Sequence, residues 1–178
     1  MNEVKEHRIV MVFSRKKDNP NQRKSTVTMF QDIVPTDRVI EKEPMYNAIA
    51  KLYNARVYVS VNTINFKEAR KDLIMRLLKQ QFEGMESNIH RALISSCMRS
   101  PNKPKQFMLD IDTKLPSVLT FVRKNIPKKH IVITTQNGYH IICEPFNVKE
   151  FMDLKIPDVE IKKNGMTNLE YIKRLENE

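Results

Sequence analysis

Tryptophan is absent, glycine occurs three times and cysteine twice in a chain of 178 residues. So few glycines exclude a P-loop and a dinucleotide fingerprint, which both need closely spaced glycines to bring backbone N–H groups up to phosphate. Cys97 and Cys143 lie far apart with no CxxC spacing. That excludes a disulfide framework and a thiolate zinc site, and it points to a reducing cytoplasm. Long apolar runs are also missing. Near the start the only one is Ile9 to Phe13, too short for a signal peptide or a spanning helix, so a soluble protein with no membrane partner is expected. Of the four histidines, His7, His90 and His130 have no acidic or cysteine neighbours at ligand spacing.

Basic residues are plentiful. The chain carries 31 Lys and Arg against 21 Asp and Glu, a net charge of +10, and its pI is near 9.6. This balance favours a polyanionic partner such as nucleic acid or nucleotides. The loop SRKKDNPNQRK (14–24) concentrates it, with Arg15, Lys16 and Lys17 next to a strand end. They form either a solvated loop or a grip on a nucleic-acid backbone. The length fits one domain, or one core with an appended module.

Hydrophobic periodicity divides the chain into two parts. In the first, RIVMVF (8–13) reads as a strand, and Pro35 and Pro44 bracket an irregular stretch. A helix over 45–55, a strand over 56–62 and an amphipathic helix over 66–82 that stops near Gly84 follow. A second helix spans 87–98 with Ser87 as its cap, and a linker runs over 100–105. Residues 1–102 are thus expected to be an N-terminal α/β module. In the second part, 103–178, Gln106 to Asp112 is a strand and 115–126 a helix closed by Pro127. Strands 130–136 and 139–145 flank Asn137-Gly138, a two-residue hairpin signal because both positions tolerate positive φ. A helix over 147–155 capped by Asn147, a strand over 158–162 and a terminal strand or helix complete the chain. The order βαββαβ defines an α+β fold, the split βαβ plan of ferredoxin-like and RNA-recognition (RRM-like) domains, with an antiparallel sheet. The two parts together are expected to make one compact domain.

In that plan the first and third strands are central and the fourth flanks the first. Period two then puts Asp110 and Asp112 on the face opposite Leu109 and Ile111. A two-residue hairpin would pair Thr135 with His140 on that same face, and Glu160 would join them from the last strand. Unpaired carboxylates are too costly to bury, and each would raise the other's pKa, so this face is expected to be open. Removing both charges is then expected to leave the fold intact or slightly more stable. Two aspartates at this spacing suit a hard divalent cation, Mg²⁺ or Mn²⁺, with phosphates completing its shell.

These residues resemble the archaeo-eukaryotic primase superfamily, which includes small primase-polymerases of plasmids and phages. LDIDTK (109–114) resembles its first motif, hydrophobic-Asp-hydrophobic-Asp. TQNGYH (135–140) resembles its second, with Thr135 where Ser is usual and Gln136 in place of the first glycine. VYVSVNTINFKEAR (57–70) is similar to the upstream strand that ends in asparagine. The third motif falls on Asp158 or on Val159-Glu160. The resemblance implies a primase or primase-polymerase, a metal-dependent nucleotidyltransferase in which Asp110, Asp112 and Glu160 hold the metal. It implies that Thr135 and His140 contact a nucleoside triphosphate, with Lys114, Lys162 and Lys163 near phosphate or template. A primed or single-stranded nucleic acid would be the partner, any helicase would be a separate protein, and a host cytoplasm would be the location if the chain is phage-encoded. The other reading is a catalytically inactive protein of that fold, or an RRM-like module, that binds nucleic acid or regulates. A twin-HxT phosphoesterase is disfavoured because only one usable His-Thr pair exists.

Overall fold

Ile9, Val10, Met11 and Val12 are buried in succession, which a strand permits only when both of its faces are covered. They form the middle of the first strand in a computed structural model that describes residues 6–83 and 88–176. In chain order the elements are β1 (His7–Arg15), β2 (Thr26–Pro35), α1 (Glu43–Leu52), β3 (Arg56–Ser60), α2 (Phe66–Phe82), α3 (Ile89–Arg99), β4 (Phe107–Ile111), α4 (Pro116–Lys124), β5 (His130–Thr134), β6 (Tyr139–Cys143), α5 (Val148–Asp153), β7 (Val159–Lys162), β8 (Met166–Thr167) and α6 (Glu170–Leu175). The protein is α+β, with two four-stranded sheets of order β2-β1-β3-β8 and β5-β6-β4-β7. Every strand pairing in both is antiparallel. No helix among the described residues is long and apolar enough to cross a membrane.

The second sheet has its first and third strands in the middle, as the element order predicts. The first sheet departs from expectation in two places. β2 lies just before the stretch between Pro35 and Pro44, over residues to which the sequence pattern assigned no element; it is an edge strand, paired on one side only, and buries little on either face. The terminal segment forms both a strand and a helix, and β8 returns to the first sheet, with Val59 opposite Thr167. Sheet membership therefore crosses the boundary near residue 102. Asn65 and Asn88 cap α2 and α3 by accepting from Glu68 N and Arg91 N. The expected stop at Gly84 and cap at Ser87 lie outside the described residues.

Three cores stack the layers. Ile9, Met11, Ile94 and Cys97 join the first sheet to α3. Leu109, Ile111 and Ile141 pack on Val122 of α4 and Phe151 of α5. Between the sheets lie Val10, Val34 and Val59 from one, Met108, Ile133 and Ile142 from the other, and Tyr46 and Tyr171. The face of the second sheet turned away from its helices is therefore not open along its length. Met108 and Ile142 bury one part of it, and two residues along each strand Asp110 and His140 occupy the rest. Each fully buried aliphatic side chain contributes roughly 1.5–3 kcal/mol, so this packing holds the polar end of the face against the first sheet.

At the start of β4 a single side chain does the work of a strand pairing. Asn62 Oδ1 accepts from Gln106 N at 2.7 Å, and Asn62 Nδ2 donates to Gln106 O at 3.0 Å. The amide fixes where β4 begins, and with it where Asp110 and Asp112 fall.

Candidate functional site

The register of three adjacent strands brings the polar residues together. Asp110 lies directly opposite His140 on one side and Glu160 on the other. Asp112 continues β4 beyond its last paired residue, and its N–H donates to Asp158 O at 2.9 Å. Asp110, Asp112, Thr135, His140, Glu160 and Lys162 line a cleft of about 520 Å³, with Arg15 and Arg56 of the first sheet and Lys17 of the turn after β1 on its other wall. Lys16 and Lys114 do not line it. Of the two acids left open for the third motif, Glu160 reaches the cleft, while Asp158 sits in the turn before β7 with φ of 58°.

Asp110 is not an unpaired charge. One oxygen accepts from His140 Nε2 at 3.2 Å and the other is held by Lys162 Nζ, which also lies 3.3 Å from Glu160 Oε2. The hydrogen bond from His140, reinforced by Lys162, holds the Asp110 carboxyl well below the usual carboxylate range although burial pushes the other way. Burial likewise opposes, but Asp110 and Glu160 outweigh, so the Lys162 ammonium is held above its ordinary value. His140 is itself buried, and its Nδ1 lies 2.8 Å from the hydroxyl of Thr167, a fully buried residue of β8. In the tautomer that carries its proton on Nε2, directed at the carboxylate, the ring accepts from Thr167 at Nδ1. The site is thereby joined to both sheets.

The hairpin differs from the expected one. Thr134 pairs with Tyr139 and Ile133 with His140, so Thr135 does not face His140 across a ladder. A four-residue loop, Thr135–Gly138, closes instead through Thr135 N to Gly138 O at 2.9 Å, and Gly138 N donates to Thr135 Oγ1 at 3.1 Å. Neither Asn137 nor Gly138 has the left-handed φ that the dipeptide suggested. Gly138 is needed for a different reason: a Cβ there would meet Ile111 O at 1.8 Å and Thr113 N at 2.8 Å. The loop thus lies directly on the end of β4, against the backbone that flanks Asp112.

On the opposite wall the Arg15 guanidinium lies 5.0 Å from the Tyr58 ring centroid, and Phe13 flanks Tyr58 at 5.7 Å. Arg56 also faces the cleft, with Nε donating to Asp18 Oδ2 at 2.8 Å. This pair anchors the basic loop to β3, while Arg15 and Lys17, whose charges also act on Asp18, form no salt bridge of their own among the described residues. Sequence reasoning missed Tyr58, Arg56 and Thr167. Tyr58 and Arg56 carried a faint signal in the alternation of RVYVS; Thr167 carried none, because its role depends on a two-residue strand. Cys97 and Cys143 are buried free thiols, and burial pushes Cys143 up to about 11.

The donor chemistry suits Mg²⁺ or Mn²⁺, since Asp110, Asp112 and Glu160 offer only oxygen. Among the described residues no three such side chains are gathered closely enough to cage an ion, and Lys162 already supplies a positive charge to Asp110. A divalent ion would therefore take the place of that ammonium. No family model matches the chain, and no match is found to a curated protein or to a solved structure.

Proposed function

We propose that this protein is a metal-dependent nucleotidyltransferase of the primase or primase-polymerase type, acting on nucleic acid, and that its second sheet with α4 and α5 is an RRM-like, ferredoxin-like βαββαβ unit of the kind found in archaeo-eukaryotic primases. The strand order β5-β6-β4-β7 supports the fold. The observation that carries the activity is the alignment of Asp110 with His140 and Glu160 on adjacent strands, beside Asp112, in a cleft whose facing wall is basic.

In the reaction, a 3′-hydroxyl attacks the α-phosphate of a nucleoside triphosphate and the bond to pyrophosphate breaks. Asp110 and Asp112, with Glu160, would hold Mg²⁺ or Mn²⁺, which when bound supplies charge stabilisation at the phosphates. His140 acts as a positioning residue: both ring nitrogens are engaged, one by Asp110 and one by Thr167, so the ring fixes the carboxylate. Thr135 keeps a hydroxyl proton to donate toward phosphate while its oxygen accepts from Gly138 N. Lys162, which would yield Asp110 to a bound cation, lines the cleft as a phosphate partner. Arg15 and Lys17 hold the nucleic-acid backbone by charge.

A second reading is favoured by the Lys162–Asp110 pair, which satisfies the acid without any metal: a catalytically silent protein of the same fold that binds nucleic acid. Extension of a labelled primer on a template, with Mg²⁺ or Mn²⁺ and either nucleotide set, separates the two. The first reading expects extension that falls at least a hundredfold in the Asp110→Ala, Asp112→Ala double variant. Full activity in that variant sinks the site assignment, and an inert wild-type protein that still binds the template supports the second reading.

A further inference from the structure

At the end of β1 opposite Arg15, the side chain of Arg8 is only 6% exposed. A buried guanidinium is normally matched by a carboxylate, because an unpaired buried charge costs several kcal/mol by order of magnitude. Among the described residues none lies within ion-pairing distance of Arg8. Nη1 donates to the carbonyls of Ser60 and Val61, and the ring of Tyr171 lies 5.3 Å from the guanidinium carbon. Among the described residues Nε has no partner, and beside the two Nη1 bonds the Tyr171 hydroxyl is the only side chain that bonds the guanidinium. The Nε–Nη2 edge is the one that grips an oxyanion in paired bonds; in Arg56 the same edge is filled by Asp18. Burial lowers the Arg8 pKa despite the nearby charges of Tyr171 and Glu6.

A cavity of about 160 Å³ lies against Arg8, lined also by Glu6, Asn102, Lys103, Gln106 and Tyr171. We infer that this cavity is a phosphate-binding site, separate from the acidic cleft, in which Arg8 and Lys103 take a phosphate group, either free or at the end of a nucleic-acid strand. Among the described residues that line it, two cations face the single acid Glu6, which leaves room for a multiply charged anion. The volume exceeds that of one phosphate, so an attached ester group fits as well.

The test follows the Arg8 Nε–H signal, assigned through bonds in isotope-labelled protein, during titration with inorganic phosphate at constant ionic strength. A saturable shift is expected, weakened at least threefold in Lys103→Ala, tightened in Glu6→Gln and unchanged in an Arg15→Ala, Lys17→Ala variant that disarms the cleft. A 5′-phosphorylated oligonucleotide that saturates the signal at lower concentration than phosphate, while its unphosphorylated counterpart leaves the signal unmoved, identifies a strand end as the source. Saturation by phosphate alone identifies the free anion. An Arg8 signal that stays still under both probes, or a shift lost in the Arg15, Lys17 variant and kept in Lys103→Ala, overturns the inference.

Discussion

Asp110 sits where mutual repulsion with Asp112 would make its removal harmless or favourable, yet its two oxygens are held by His140 and Lys162. The pairing reverses the expected sign. Asp110→Ala leaves the buried His140 Nε2 without an acceptor and the Lys162 ammonium with Glu160 alone, a loss of about 1–3 kcal/mol. Asp112, exposed and bonded through its backbone, should change stability by no more than about 0.5 kcal/mol when replaced by Ala. Urea unfolding of the two single variants reads the difference, and equal midpoints would refute the pairing. The pH dependence follows from the same bonds. The folded-state pKa of Asp110 is depressed, so its stabilisation is fully present above the unfolded value of about 3.9 and is lost as pH falls from there through the lower folded value. Melting temperatures of wild type and Asp110→Asn should differ near neutrality and converge on acidification below about pH 4. Thr167→Val keeps the shape at Nδ1 but removes its donor, and should cost about 1 kcal/mol while shifting the His140 ring-nitrogen resonances.

Elements were legible where their period was strong. The α2 bounds follow from its apolar spacing, and β4, β6 and β7 from alternation that puts Leu109, Ile141 and Ile161 on one face and Asp110, His140 and Glu160 on the other. β2 was illegible because an edge strand with Gln31 and Asp32 in its middle buries little on either side. The hairpin was placed correctly and closed wrongly: Asn137-Gly138 signals a two-residue turn, whereas the contact that selects glycine comes from Ile111 and Thr113, over twenty positions earlier in the chain. No local pattern carries that constraint. Its consequence is testable, since Gly138→Ala drives a methyl group into Ile111 O and must lift the loop from the end of β4. A loss on the order of 1–3 kcal/mol in urea unfolding is expected. Asn137→Ala serves as the control: with no left-handed φ to satisfy, it should be tolerated. A tolerated Gly138→Ala would mean that the loop does not rest on β4.

For the whole molecule, the polar half of the second sheet becomes a cleft only because the first sheet packs on the apolar half through Val10, Val59, Met108 and Ile142. The sequence pattern reveals each sheet's own alternation but not which face meets which, so the facing basic wall could be anticipated only as a loop of charges. Its composition sets the response to salt. Arg56 is matched by Asp18, and Asp110 by Lys162, so neither pair offers a net charge to a polyanion. Arg15 and Lys17 carry the positive potential into the cleft. Each phosphate contact they make with a single strand releases counterions, and log binding constant against log salt should have a slope to which each such charge contributes about −0.7. Replacing both by Ala should make the slope shallower by about 1.4 and weaken binding about equally for all sequences, whereas Lys16→Ala and Lys114→Ala, outside the cleft, should leave it nearly unchanged. Fluorescence anisotropy with a labelled single strand over a salt series distinguishes these outcomes. If all four variants shift the slope alike, the affinity comes from the overall charge of +10 rather than from this wall, and nucleic acid is not steered toward Asp110.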